Sequence, residues 1–129
     1  MSLFRRKPKT DDVDPNARSP KTGIKYKDLD VVNLLVQHGA DLSQPRHVLY
    51  FLYFGSEDAA TQAAEQARSR SFEATVNEPL PQRPGDWSLK CERRGVVVDT
   101  ETIRGNGDFF DQLAAQFGGE YDGWEASVR

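Results

Sequence analysis

Apolar residues change their spacing several times between residues 46 and 128, which predicts strands and helices in alternation. Residues 48–54 are all apolar or aromatic, so both alternating sets of side chains in this stretch are apolar. Such a pattern is typical of a strand in the interior of a sheet. Either both faces of this strand are covered, or one of them carries an aromatic surface.

Two shorter stretches after it also have the period of strands. Residues 72–77 alternate apolar and polar side chains, and residues 87–93 do the same with one clearly polar face. The three valines at 96–98 either extend the second of these strands past a bulge at Gly95 or begin the next element. Prolines and a glycine between the two strands predict a connecting loop.

Residues 121–128 form the last predicted strand. Because successive side chains of a regular strand point to opposite faces, we expect Trp124 to face the core and Tyr121 to face away from it. The two predicted faces consist of Trp124, Ala126 and Val128 on one side and Tyr121, Gly123 and Glu125 on the other.

Helical spacing of apolar residues predicts three helices, at residues 28–38, 56–70 and 100–117. Ser56 has the side chain of an N-cap for the second helix. The cap of the third helix is either Asp99 or Thr100.

Two glycines weaken the first half of this third helix, since each costs about 1 kcal/mol relative to alanine in a helix interior. Gly105 and Gly107 therefore leave open a frayed or restarted first turn. In that case Asn106 or Asp108 would act as a second cap.

The order of elements after the first helix is β-α-β-β-α-β. This order is typical of the ferredoxin-like, or split βαβ, arrangement. We therefore predict an α+β fold in which four antiparallel strands carry the second and third helices on one face. The helix at residues 28–38 is expected to lie outside that unit.

Charge and composition divide the chain into two parts. Residues 1–24 contain six basic and three acidic side chains, a net charge of +3, together with three prolines and few apolar residues, and we interpret them as a disordered basic tail. Residues 25–129 contain eleven basic and seventeen acidic side chains, a net charge of −6, and form the predicted domain. An acidic domain favours a basic protein partner over nucleic acid, whose phosphates need neutralising cations.

Candidate chemistry in the sequence is sparse. His38 and His47 have no cysteine or second histidine at ligand spacing, so we predict neither a metal site nor a cofactor. No serine lies in the pattern of a nucleophile elbow, so no catalytic residue is predicted. The single cysteine, Cys91, is expected to pack inward, although Lys90 and two arginines beside it leave a reactive thiol open.

An RNA-binding sheet is the competing interpretation for this fold class. RNA recognition motifs stack bases on aromatic side chains of the two central strands. Residues 50–54 could supply such aromatics, but the polar face of the strand at residues 87–93 offers Ser88, Lys90 and Glu92 instead. Direct binding of nucleic acid is therefore disfavoured. No apolar run approaches the length of a membrane span, and one unpaired cysteine fits a cytoplasmic location.

The most distinctive stretch is Gly-Gly-Glu-Tyr-Asp-Gly-Trp-Glu at residues 118–125, which we call the GGEYDGWE motif. It resembles the closing signature of the regulator of ribonuclease activity B family of small bacterial proteins. Residues 39–42, followed by Pro45 and Arg46, add to this resemblance, which extends over roughly residues 28–128. The resemblance implies the same fold, and a non-catalytic protein that binds ribonuclease E, inhibits it and so modulates RNA decay.

Acidic and aromatic side chains of the motif suggest a partner-binding surface. We predict an acidic patch around an aromatic centre, because tyrosine is enriched at interfaces and acidic groups attract basic partners. The alternative is that the motif only stabilises the turn between the last helix and the last strand. The predicted partner-binding residues are Glu120, Tyr121, Asp122 and Glu125, together with Asp108 and Asp111 of the preceding helix.

Overall fold

The computed structural model describes residues 14–129, which form three helices and four strands. One helix comes first, and the elements after it follow the predicted order β-α-β-β-α-β. The elements are α1 (Tyr26–Gln37), β1 (Arg46–Phe54), α2 (Glu57–Ser69), β2 (Glu73–Asn77), β3 (Trp87–Val96), α3 (Thr100–Gln116) and β4 (Glu120–Ala126).

The four strands form one antiparallel sheet with the order β2-β3-β1-β4. The aromatic strand β1 lies in the interior, between β3 and β4, as its apolar sequence predicts. The α+β class, the antiparallel sheet and the three helices are thus confirmed.

The two faces of β1 have different surroundings. Val48, Tyr50, Leu52 and Phe54 are buried under the helices. The alternate residues Leu49, Phe51 and Tyr53 are half-buried and do not belong to that core. Among residues 14–129, one face of the strand is therefore covered by the helices and the other carries aromatic side chains, which favours the second predicted alternative. We call the side of the sheet that bears Leu49, Phe51 and Tyr53 the open face.

Phe110 of α3 is the centre of the core on the helix side. Its ring is fully buried and stacks on Tyr50 with 4.6 Å between ring centroids. Phe72 and Tyr121 surround it at 4.9 and 5.5 Å. Helix α2 covers the neighbouring part of the sheet with four fully buried alanines, whose small side chains let its backbone lie close to the strands.

The predicted N-cap of α2 is formed, and of the two candidates for α3 the structure has Asp99. The Ser56 hydroxyl accepts a hydrogen bond from Ala59 N at 3.1 Å, and the Asp99 carboxylate accepts one from Thr102 N at 2.9 Å. Helix α3 is continuous through its two glycines, so no second cap is needed. Asn106, one of the candidates for that second cap, instead donates a hydrogen bond to the Tyr50 hydroxyl at 2.8 Å.

Strand β3 continues past a bulge at Gly95, as one of the two alternatives predicted. Arg46 pairs with Val96, whereas Val48 pairs with Arg93, so β3 has one residue more than β1 between these pairs. Gly95 has a φ of +71°, which a glycine adopts without steric cost.

Arg46 is a buried cation that the sequence pattern does not predict. Only 3% of its surface is exposed, and its guanidinium donates hydrogen bonds to the carbonyl oxygens of Ser127 and Val128 at 2.7 and 2.9 Å. It also donates to the carbonyl oxygen of Asp41. Arg46 thereby joins the loop between α1 and β1 to the residues that follow β4.

The segment before α1 contacts the domain. Ile24 is buried in the core, and Ser19 N donates a hydrogen bond to its carbonyl oxygen at 2.8 Å. Residues 1–13 of the predicted tail lie outside the described residues, so the division of the chain at residue 24 stays a prediction. Between residues 14 and 129, no helix is long and apolar enough to cross a membrane.

Candidate functional site

Two glycines begin the GGEYDGWE motif and shape the turn between α3 and β4. Gly118 has a φ of +68° directly after the helix, the left-handed conformation typical of a helix C-terminus. Gly119 lies so close to the end of β1 that an added Cβ would come within 2.4 Å of the Tyr53 carbonyl oxygen and of Phe54 Cδ1. Close backbone approach therefore requires glycine at 119.

A bulge in β4 overturns the predicted alternation of the last strand. Gly123 pairs with Phe51, but the next pair joins Leu52 to Tyr121, so Asp122 is an extra residue. Gly123 has a φ of +109° at this bulge. Because of the extra residue, Tyr121 and Trp124 both face the helices, and the expectation that they face opposite ways is wrong.

Tyr121 is consequently part of the core and does not supply an exposed aromatic centre. It is 8% exposed, and burial raises the pKa of its hydroxyl well above the usual value. No hydrogen-bond partner for that hydroxyl is found among the described residues. The Lys27 ammonium lies 5.6 Å from the centroid of the ring.

Trp124 is the core residue that the sequence predicts, and it contacts a buried acid that the sequence does not predict. The indole Nε1 donates a hydrogen bond to Asp28 Oδ1 at 3.0 Å. Burial raises the pKa of the Asp28 carboxyl, and this hydrogen bond with the charges of Lys27 and Lys25 opposes the rise. The contact fixes α1 against β4.

Asp108 and Asp111 on α3 form ion pairs with the segment before α1. Asp108 pairs with the Arg18 guanidinium at 2.7 Å, and Asp111 pairs with the Lys25 ammonium. Both acids therefore lie in the helix layer beside α1. There they neutralise cations of this chain.

Glu120, Asp122 and Glu125 lie on the other side of the sheet. Glu120 is opposite Tyr53, and Glu125 is opposite Leu49, so both belong to the open face. Asp122, at the bulge, is exposed like Glu120, whereas Glu125 is half-buried. The structure thus separates the six predicted residues into an acidic trio on the open face, a pair of acids in the helix layer, and the buried Tyr121.

The predicted partner-binding residues do not include the apolar row of β1 that accompanies the acidic trio. Leu49, Phe51 and Tyr53 alternate along β1 on the same face as Glu120 and Glu125. The sequence of β1 did indicate this row, because both alternating sets of its side chains are apolar and one set could therefore form an aromatic face. What the sequence lacked was the pairing of β1 with β4, which places the two groups side by side.

The remaining titratable groups of residues 14–129 include a paired histidine and a buried thiol. No group of three or more histidine, cysteine or carboxylate residues that could hold a metal occurs within residues 14–129. His47 Nε2 lies 2.8 Å from Glu92 Oε1 on the open face. Cys91 is fully buried, as predicted, and burial raises the pKa of its thiol to about 12, which favours the unreactive protonated form.

Comparison with known protein families gives a match over most of the chain. The family model described as regulator of ribonuclease activity B matches residues 26–126, from the first residue of α1 to the last residue of β4. The match therefore includes every helix and strand described above. No curated protein matched the chain.

Proposed function

The chain belongs to the regulator of ribonuclease activity B family, and from this membership we propose that it binds a ribonuclease and lowers its activity. The proposed target is ribonuclease E, as the resemblance of the GGEYDGWE motif implies. The protein would then act without catalysis of its own, and would slow the decay of transcripts by occupying the enzyme that degrades them.

The observation that carries this proposal is the family match over residues 26–126. An acidic surface agrees with it, since complementary charge steers protein association. Glu120 and Asp122 of the motif are exposed, and the residues of the motif needed for folding are different ones, above all Gly119 and Trp124. Exposed carboxylates of the motif are therefore accessible to a partner.

We also assign the domain to the ferredoxin-like class. The sheet order β2-β3-β1-β4, with α2 and α3 packed on one side, supports this assignment. A cytoplasmic location in a bacterium follows from the same proposal, because that is where the family's target would be met.

RNA binding by the open face is the second candidate function. The aromatic rings of Phe51 and Tyr53 on an interior strand favour it. Carboxylates on the same face oppose it, since Glu92, Glu120 and Glu125 would repel phosphates. Protein binding is therefore the function that we propose.

The test uses the purified chain and ribonuclease E from the same organism. We expect the cleavage rate of an RNA substrate to fall as the chain is added, with direct binding measured by calorimetry. The chain alone should leave the RNA intact. A pull-down analysed by mass spectrometry checks the target without choosing it in advance. Unchanged cleavage together with no captured ribonuclease would contradict the proposal.

A further inference from the structure

We propose that the groove between α2 and α3 is a binding site for an acidic peptide segment, one carboxylate of which pairs with the guanidinium of Arg70. The groove lies on the helix side of the sheet, opposite the face that carries the acidic trio. This inference goes beyond the regulation of a ribonuclease and does not depend on the identity of that enzyme.

The groove has polar walls and the size of a subsite for side chains. Its volume is about 190 Å³, less than the roughly 300–1,000 Å³ of sites for drug-sized molecules, so it suits one or two side chains of a peptide. None of the described residues that line it is acidic. Its walls include Gln66, Ser69 and Arg70 from the end of α2, and Phe109, Gln112 and Gln116 from α3.

Arg70 is the cation of this groove. Its Cζ lies 4.7 Å from the centroid of the Phe109 ring, so the ring holds the guanidinium in place. A guanidinium over a ring keeps N–H groups at its edge, and these can bind a carboxylate through two parallel hydrogen bonds. Among residues 14–129, no carboxylate lies within ion-pair distance of Arg70, which is exposed. The groove therefore offers a place for one negative charge.

Two further arginines add positive charge beside Arg70. Arg93 lies over the Phe72 ring with 3.7 Å to the centroid, and its guanidinium donates a hydrogen bond to the Arg70 carbonyl oxygen. The Phe72 ring is parallel to the Phe109 ring at a centroid distance of 6.0 Å. Arg68 donates to a backbone carbonyl oxygen of β2 at 2.9 Å. These partners are uncharged, so both arginines still attract an anion.

Glutamine side chains favour a peptide over a chain of phosphates. The amides of Gln66, Gln112 and Gln116 each donate and accept hydrogen bonds, so they can pair with both polar groups of an extended backbone. Nucleic acid would need several cations to neutralise successive phosphates, whereas the groove contains one arginine in a domain of net negative charge. A single carboxylate on a peptide matches this arrangement better.

Nuclear magnetic resonance titrations of the full chain test the site at low salt. The probes are hexaglutamate, hexaglutamine, a uridine hexanucleotide and inorganic phosphate. The signals followed are the Nε–H group of Arg70 and the side-chain amides of the three glutamines. Arg70→Gln removes the charge, and Arg70→Lys keeps it without the planar fork. Arg104→Gln is the matched control, because Arg104 is an exposed arginine of α3 that lies beside Gly23 and outside the groove.

We expect hexaglutamate to shift these signals until the site is saturated, while hexaglutamine causes little change. Arg70→Gln should weaken the binding of hexaglutamate by roughly fivefold or more, the loss of a charged hydrogen-bond donor at an exposed position. Arg70→Lys should lose less affinity, and Arg104→Gln should bind like the wild type. Melting temperatures of all variants show whether each remains folded.

Several results would overturn the inference. They are the absence of a saturable shift with hexaglutamate, an equal shift with hexaglutamine, and unchanged affinity of Arg70→Gln. Tighter binding of the uridine hexanucleotide would indicate a site for RNA, and equal binding of phosphate would indicate a site for any small anion. Shifts that depend on protein concentration alone would indicate that a second copy occupies the groove. Inhibition of a ribonuclease is measured separately, so the proposed function can hold whichever result is found.

Discussion

Asp28 Oδ1 accepts a hydrogen bond from Trp124 Nε1 at 3.0 Å, and both residues are buried between α1 and β4. This contact joins the first helix of the domain to the tryptophan of its most distinctive motif. It places an ionisable group where water is largely excluded, so both stability and its pH dependence are expected to depend on it.

Replacing Trp124 by phenylalanine removes the donor and leaves the buried acceptor without it. We expect the free energy of unfolding to fall by roughly 1–3 kcal/mol, the cost of an unsatisfied buried polar group. Urea denaturation of Trp124→Phe measures the loss. Trp87→Phe is the control. It makes the same reduction in ring size at a half-buried position and removes no hydrogen bond to Asp28. Equal losses in both variants would show that ring volume alone matters.

The pH dependence of stability should change when Asp28 is replaced by asparagine. Burial raises the pKa of Asp28 in the folded chain above its ordinary value of 3.8. Between the two values the folded chain holds a proton that the unfolded chain has lost, so this group makes the wild type less stable as pH rises through that window. An asparagine side chain at this position does not titrate and can still accept a hydrogen bond from the indole.

Asp28→Asn should therefore gain stability relative to the wild type as pH rises above 3.8, and the difference should level off once Asp28 is ionised in the folded state. Unfolding by urea at a series of pH values measures this difference. Other carboxyls cancel in the comparison, because both chains contain them. Parallel stability curves would contradict the assignment of a raised pKa to Asp28.

Gly119→Ala should destabilise the domain by about 1–3 kcal/mol, the cost of overpacking a rigid site. The added Cβ would meet a backbone carbonyl oxygen of β1, which cannot move as a flexible side chain would. Gly85→Ala is the matched control, since a Cβ at 85 meets nothing within 4 Å and its φ is not positive. Thermal unfolding of both variants measures the difference in stability. A Gly119→Ala chain as stable as the Gly85→Ala control would contradict the close approach of Gly119 to β1.

The two groups of predicted acids should separate in one comparison. Asp108→Asn with Asp111→Asn breaks two ion pairs in the helix layer, so stability should fall by about 1 kcal/mol at most, while ribonuclease binding stays unchanged. The triple change Glu120→Gln, Asp122→Asn and Glu125→Gln should weaken ribonuclease binding, with a smaller dependence on salt. The reverse assignment of the two effects would place the partner on the helix side.

Local patterns in the sequence predicted the helices and strands well. Ser56 was predicted as a cap, and Asp99 as one of two candidates, because an N-cap needs only a short polar side chain at the first turn. The interior position of β1 followed from its doubly apolar pattern, and Cys91 was expected to pack inward for the same kind of reason.

Long-range contacts were beyond such patterns. Asp28 and Arg46 look like surface residues in the sequence, and their partners Trp124 and Ser127 are about one domain length away along the chain. Asp108 looked like a surface acid because its partner, Arg18, precedes α1. A periodic pattern predicts which residues are buried, but it does not predict which distant residues they contact.

Because of its bulge, β4 contains one residue more than it needs to place Tyr121 and Trp124 in the core. Tyr121 and Trp124 are three apart yet share a face, whereas two residues of a regular strand share a face when they are two apart. A chain shortened by Asp122 would keep both aromatics facing the helices with ordinary strand geometry. The position of the two aromatics on the helix side therefore does not require Asp122, and the extra residue adds an exposed carboxylate to β4 next to the pair of Gly123 and Phe51.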